Sequence, residues 1–414
     1  GTALTTGDFN VAVGFEALKT EDAHGQNTAI GHQALKNLNA GATGLNTAIG
    51  INAGLSMTTG TANTIVGSFA GDSLTTGTEN VAIGSSALGA DTLGEYSTAV
   101  GRDALRSQNF NEGTASNNEA YNTAIGYKAG FSITGYPGIE NTLVGSYAGE
   151  GLTGGFRNVC IGYEAGHSLA TSDENIAIGY RALATEDTDG RNVAVGFRAL
   201  EDQDTSTGTN PYNIAIGYDT SKNITQGRYN TIVGSQSLDA DTLGNRSTGL
   251  GYGVLSAQNF TTSTDTNNTA VGYFAGVNVT TGKQNTLIGS RAGDSLTTGE
   301  QNVAVGEQAL SSDDLGSHST AIGYAALFNQ NYATSTDSHN TAVGYFAGVT
   351  VSTGVSNTLI GSEAGDALTD ADFNVAIGHE ALSADTKGSN SVAVGVGALF
   401  NQNFTTATTV YNTA

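Results

Sequence analysis

Asn27-Thr28-Ala29-Ile30-Gly31-His32-Gln33-Ala34-Leu35 is one of 22 complete copies of a nine-residue phrase. The phrase runs Asn or Ser, Thr/Val/Ile, a small residue, Ile/Val/Leu, Gly, two variable residues, Ala, then Gly or Leu. Asn63 to Gly71 and Asn340 to Gly348 are further clear copies, and another begins at Asn412 and stops at Ala414. Most copies start 17 residues after the previous one. From Asn213 onward the intervals 17, 17, 21 and 17 recur, a longer period of 72 that makes Asn213, Asn285 and Asn357 equivalent, and likewise Ser247, Ser319 and Ser391. Upstream of Asn141 the spacing is less even, with a 25-residue unit at Ser97. Repetition this regular denotes one short unit stacked on itself, and the 72-residue period denotes duplication of four-unit blocks.

Seventeen residues cannot hold a helix pair with its turns, but they suit one coil of a β-solenoid with two or three short strands joined by corners. The phrase has strand composition, with β-branched residues at its second and fourth positions. Between phrases lie turn formers such as Thr75-Thr76-Gly77 and Thr297-Thr298-Gly299. Gly is abundant, at 58 of 414 residues, and Pro occurs twice, as tight corners and fully paired strand amides require. The expected fold is therefore all-β: a parallel β-solenoid of stacked coils of about 17 residues, one repeat array over 1–414. At about 4.8 Å per coil, 22 coils make a rod on the order of 105 Å. The chain opens and closes inside a repeat without caps, so a segment of a longer fibre is expected.

Each position of the phrase carries a reason. The fifth is Gly in all 22 complete copies, which calls for a positive φ or for another backbone close by. The first is Asn in 18 copies and Ser in four, and stacked Asn amides can bond up and down in a ladder. The eighth is Ala except at Thr220, Ser237 and Val254, which implies a tight contact, expected on a second strand. Positions two and four face one way and position three the other. Neither face is charged, so burial on both is expected, one inside the coil and one beneath a cover. No segment supplies that cover in cis; a second and third copy of the chain would, as a homotrimer about one axis.

The residues that carry a family likeness are Asn80 to Gly84 (N-V-A-I-G) and Ser391 to Gly395 (S-V-A-V-G), with Ala three residues further on. They resemble the head repeat of YadA-type trimeric autotransporter adhesins, and similar phrases occur in long phage-type fibres. The resemblance covers essentially the whole chain. It implies a left-handed parallel β-roll, a homotrimeric rod, and binding to host surfaces. The expected function is thus a structural and adhesive fibre segment, extracellular, on a cell surface or a virion, presenting sites for a host or surface glycan or receptor. Adhesin and phage-type fibre stay open. An ice- or mineral-binding solenoid and a polysaccharide depolymerase are the alternatives.

The loops of the longer units hold the candidate ligand residues. Four carry a Gln-Asn-aromatic triplet: Gln108, Asn109 and Phe110; Gln258, Asn259 and Phe260; Gln330, Asn331 and Tyr332; Gln402, Asn403 and Phe404. An aromatic face for a sugar ring beside amides for its hydroxyls makes a shallow glycan site. The other reading has each ring folded back to pin its own loop. Tyr at the sixth position in eight copies, including Tyr127, Tyr163, Tyr273 and Tyr345, is either a glycan strip or a structural stripe. Asp91, Asp241, Asp313 and Asp385 lack the dense oxygen pattern of a calcium loop, and a solvated face is expected for them.

Thirty-eight acidic against 15 basic residues give a net charge of −23, a poor ligand for nucleic acid or an anionic membrane. Cys160 stands alone at a third position, a buried substitute for Ala. Six His residues (24, 32, 167, 318, 339 and 379) are scattered over repeat positions, with no metal cluster, catalytic constellation or cofactor expected. No apolar run is long enough to span a membrane.

Overall fold

The computed structural model describes residues 1–110, 118–186, 188–205 and 209–414. Two compact units, Gly1–Tyr212 and Asn213–Ala414, divide the chain. Each is a parallel β-solenoid with one principal strand per coil, and no helix occurs among the described residues. The first unit has eleven such strands, from Val11–Val13 to Val193–Val195, and the second has eleven, from Ile214–Ile216 to Val392–Val394.

The strands are the second to fourth residues of the phrase, as the β-branched composition predicts, and within each unit they pair in parallel with their counterparts one coil on. Thr28, Ala29 and Ile30 stand against Thr47, Ala48 and Ile49, and Thr341, Ala342 and Val343 against Thr358, Leu359 and Ile360. In-register stacking follows from the equal coil length. Longer units extrude their extra residues without disturbing it: Thr248 still meets Thr269 across a 21-residue interval.

The coil has fewer strands than expected. After the fifth-position Gly the chain enters turns, and the eighth-position Ala lies in a turn where a second strand was expected. The backbone explains this. The seventh and ninth residues take left-handed conformations even when they carry side chains, as in Gln33 (φ 56°) and Leu35 (φ 48°). That conformation breaks the extended run. Interchain-like bonding continues through the turns, with Leu35 N–H donating to Ala53 O at 3.0 Å. Long units add a second pairing: a short strand pair in the second unit, for example Gly316–Ser317 with Thr336–Asp337, and a single parallel bridge of Glu95 with Glu119 in the first.

The fifth-position Gly meets both conditions set by its constancy. Gly67 has φ +141°, and a Cβ there would sit 2.5 Å from the carbonyl oxygen of Gly84 in the next coil.

The third residue and the eighth residue fill the core: Ala29, Ala34, Ile65, Ala70 and Cys160 are fully buried. Burial pushes the Cys160 thiol up to about 12, so it stays neutral. Where Ala is replaced at position eight, the hydroxyl finds a carbonyl; Ser237 Oγ donates to Gly251 O at 2.8 Å.

The rest of the core follows an exchange between positions nine and twelve. In coils with Gly at nine, position twelve is a buried aliphatic or Met: Gly54 with Met57, Gly71 with Leu74, Gly130 with Ile133, Gly293 with Leu296. In coils with Leu at nine, position twelve is Asp, Glu or Gln, as in Leu88 with Asp91 and Leu105 with Gln108; Leu35 with Leu38 is the exception. A Cβ on Gly71 would lie 3.0 Å from Leu74 Cδ1 and 3.2 Å from Ile65 Cδ1. Outside the coil of Leu35 and Leu38, one core volume is therefore filled by a large aliphatic from one of the two positions.

Candidate interaction surface

Two features could carry function: the polar groups that enter the core in the longer coils, and the face each unit turns outward.

The expected asparagine ladder is present. Asn46 Oδ1 accepts the backbone N–H of Asn63 at 3.0 Å, and Asn63 Oδ1 accepts that of Asn80 at 3.0 Å. In most coils the Nδ2 reaches a carbonyl fourteen residues on, as Asn63 does to Gly77 O at 2.9 Å. These amides are fully buried, so every bond left unmade costs desolvation.

The ladder explains the four Ser copies and the triplets together. Ser97 is too short to continue it, and Gln108 takes over. Gln108 Nε2 donates to Ser97 Oγ at 2.9 Å, and its Oε1 accepts from Asn122 Nδ2 at 2.9 Å. The same relay links Ser247, Gln258 and Asn268; Ser319, Gln330 and Asn340; and Ser391, Gln402 and Asn412. Gln108 Nε2 also donates to Asp91 Oδ2 at 2.7 Å, while Asp91 Oδ1 accepts the N–H groups of Gly94 and Phe110, each at 3.0 Å.

The expectation of a solvated face for Asp91, Asp241, Asp313 and Asp385 is therefore corrected: all four are fully buried. Burial pushes Asp91, Asp241 and Asp313 above the usual carboxylate range, against the donors that surround them. In the coil at Asn175, Glu186 holds the same place with Gln203 at 3.1 Å. Burial, with smaller contributions from Asp189 and Asp204, pushes Glu186 up to about 7.

The structure places the triplets accordingly. Gln108, Gln258 and Gln330 are fully buried, Phe110 (1% exposed), Phe260 and Tyr332 are buried, and Gln402 and Phe404 are half-buried. The rings of Phe110, Phe260 and Tyr332 are covered, an arrangement that matches the folded-back reading. Tyr332 Oη donates to Gly354 O at 2.7 Å. Asn109 accepts from Thr92 Oγ1 at 3.0 Å; Asn259, Asn331 and Asn403 are exposed.

The outward face is apolar along its middle. Positions two and four point away from the core and are half-buried or exposed in the single chain, so burial of the strand on both faces is met on the inner face only. Ile30, Ile49, Ile83, Ile125 and Ile161 repeat at position four of the first unit, 37–41% exposed, and Ile288, Ile322, Ile360 and Ile377 do so in the second. Thr at position two is interrupted by Val81, Val159 and Ile176, so no unbroken hydroxyl array forms.

Rows of stacked side chains flank this stripe. After the Gly, Tyr127, Tyr147, Tyr163, Tyr180 and Phe197 follow one another at ring separations of 5.2, 5.8, 5.5 and 5.0 Å. In the second unit Tyr252, Tyr273 and Phe274 recur 72 residues on as Tyr324, Tyr345 and Phe346, with the same 4.2 Å approach in each cluster. Before the Asn runs a row in left-handed conformation: Arg157 bonds Glu140 at 2.7 Å, Arg191 bonds Glu174 at 2.8 Å, and the His318 and His339 rings lie 5.0 Å apart. Among the described residues, three groups of side chains bring metal-binding atoms together: His318, Asp337 and His339; Glu21, Asp22 and His24; and Glu363, His379 and Glu380.

No protein-family model matches the chain, and no curated protein is significantly similar to it in sequence.

Proposed function

We propose that this chain is a structural and adhesive fibre segment, working as a homotrimer that holds binding surfaces away from a cell or virion. The observation that supports this reading is the outward apolar row at position four, repeated coil after coil and bordered by stacked aromatics. An exposed apolar stripe that persists through many repeats is costly in water and marks an interaction surface. Its repetition at one coil spacing matches the equally repetitive stripe of a second copy, side by side and in step. The net charge of −23 lies outside that row and keeps assembled fibres from clumping. The resemblance to trimeric adhesin heads and phage-type fibres adds the expectation of a host or surface ligand.

Mass measurement of the full chain in solution tests the assembly. Three chain masses are expected, and Ile125→Asp with Ile161→Asp should release monomers whose circular dichroism is unchanged. A wild-type chain that stays monomeric and folded at high concentration would sink the reading. Glycan-array binding by the assembled chain then tests the adhesive part.

A further inference from the structure

We propose that His318, Asp337 and His339 form a binding site for one divalent transition-metal ion, of the zinc, nickel or copper class. The three side chains come from adjacent coils of the second unit. His318 immediately precedes the phrase at Ser319, and His339 immediately precedes the phrase at Asn340. Asp337 belongs to the short strand Thr336–Asp337, which pairs with Gly316–Ser317. The backbone at His318 and Asp337 is therefore fixed, and that beside His339 too: His318 N–H donates to Glu300 O at 3.0 Å, the strand pair holds Asp337 next to Ser317, and Ser338 N–H donates to Ser317 O at 2.9 Å.

One ligand atom from each residue lies within 4.8 Å of the others. His318 Nδ1 is 3.1 Å from Asp337 Oδ1. A metal held at about 2.1 Å by each ligand sets neighbouring ligand atoms about 3.0–3.4 Å apart, so this edge is already at coordination spacing. His318 Nδ1 is shut off from water and makes no hydrogen bond of acceptable geometry despite that approach. Two imidazoles and one carboxylate, with open positions for water, favour borderline-soft ions over calcium or magnesium.

The duplicated blocks supply an internal comparison. Seventy-two residues upstream the same places hold Arg246, Asp265 and Asn267, and there Arg246 Nη1 bonds Asp265 Oδ2 at 2.7 Å. Seventy-two residues downstream they hold Asn390, Thr409 and Tyr411. The carboxylate kept from the upstream block thus faces two imidazoles where its counterpart faces a guanidinium and an amide. The other two groups are weaker. Both Glu21 oxygens already accept backbone N–H groups, from His24 and Ala40, and the third group offers a single imidazole.

The test is calorimetric titration of the full chain with Zn²⁺ and Ni²⁺ at neutral pH, beside His318→Arg, His339→Asn and the double variant. Each substitution installs the residue that the upstream block carries, so the fold accommodates it. Loss of an outer-sphere partner alone costs about 10- to 100-fold in metal affinity, so loss of either ligand is expected to weaken binding at least about 30-fold. His379→Ala should leave the affinity unchanged. Wild-type affinity no tighter than that of the double variant would overturn the proposal, as would full binding after both replacements.

Discussion

Gln108 and Asp91 share a hydrogen bond of 2.7 Å, wholly inside the coil core and 17 residues apart in sequence. The pairing recurs as Gln258 with Asp241, Gln330 with Asp313 and Gln402 with Asp385. It joins a carboxylate that water cannot reach to the one side chain that also carries the asparagine ladder past a serine.

That double duty gives the glutamine a high cost of removal. Gln330→Leu strands an Asp313 oxygen and takes the acceptor from Asn340 Nδ2, and is expected to cost about 3 kcal/mol. Replacing Asp313 by Leu as well should recover part of the loss, a non-additivity of at least about 1 kcal/mol by urea denaturation. Strict additivity would show that the pair is not coupled.

The exchange between positions nine and twelve predicts a rescue. Leu74→Ala opens a cavity costing about 2–5 kcal/mol. Gly71→Leu alone overpacks against Leu74 and Ile65 and costs about 1–3 kcal/mol. Combined, Gly71→Leu with Leu74→Ala should melt higher than either single variant, because Leu at position nine fills the same volume in other coils and already takes φ 52° at Leu88. Thermal melts that order the double variant lowest would refute the shared volume.

Two glycines with positive φ separate sterics from backbone strain. Gly67→Ala drives a Cβ to 2.5 Å from Gly84 O, whereas at Gly41 nothing lies within 4 Å of the Cβ and only φ +66° opposes it. Gly41→Ala should cost about 1–2 kcal/mol. Gly67→Ala should cost clearly more and open the ladder between its coils, read as faster amide exchange at Gly84 and its neighbours.

Glu186 predicts a pH dependence. A carboxyl whose folded pKa lies above its unfolded value stabilises the fold only while protonated, and loses that contribution as pH rises through the folded value. With an ordinary value of 4.5 and a folded value of about 7, stability should fall between those pH values, by on the order of 3 kcal/mol from this group. Glu186→Gln should flatten that part of the profile in denaturant titrations at pH 4.5 and 7.5. An unchanged slope in the variant would place the proton elsewhere.

Much of the fold was legible because each coil repeats the same demands. The 17-residue interval, the β-branched pair around a small third residue and the constant Gly specify a parallel stack, and the structure has it. The missing second strand was not legible, since left-handed backbone at Gln33 and Leu35 leaves no mark of the kind glycine leaves. Asp91 and Gln108 were misplaced for a different reason. Polar residues between phrases look like solvated loop, and their burial shows only when position twelve is compared with position nine of the same coil. Leu88 with Asp91, set against Gly71 with Leu74, holds that information in the sequence. His318 and His339 were read as scattered, although both directly precede a phrase start in consecutive coils, the one alignment that makes them neighbours.

The Ser–Gln relay has a further consequence. Because Gln258 restores the ladder before Asn268 resumes it, the added residues of such a coil need not supply a ladder amide. They still bond to the stack, with Thr264 and Thr266 N–H donating to Leu243 and Asn245 O, so the natural splice point is the exposed tip at Thr261 and Thr262. A peptide inserted there would hang from the scaffold as a pendant module, and recombination could exchange it while the paired segment beneath stays in place.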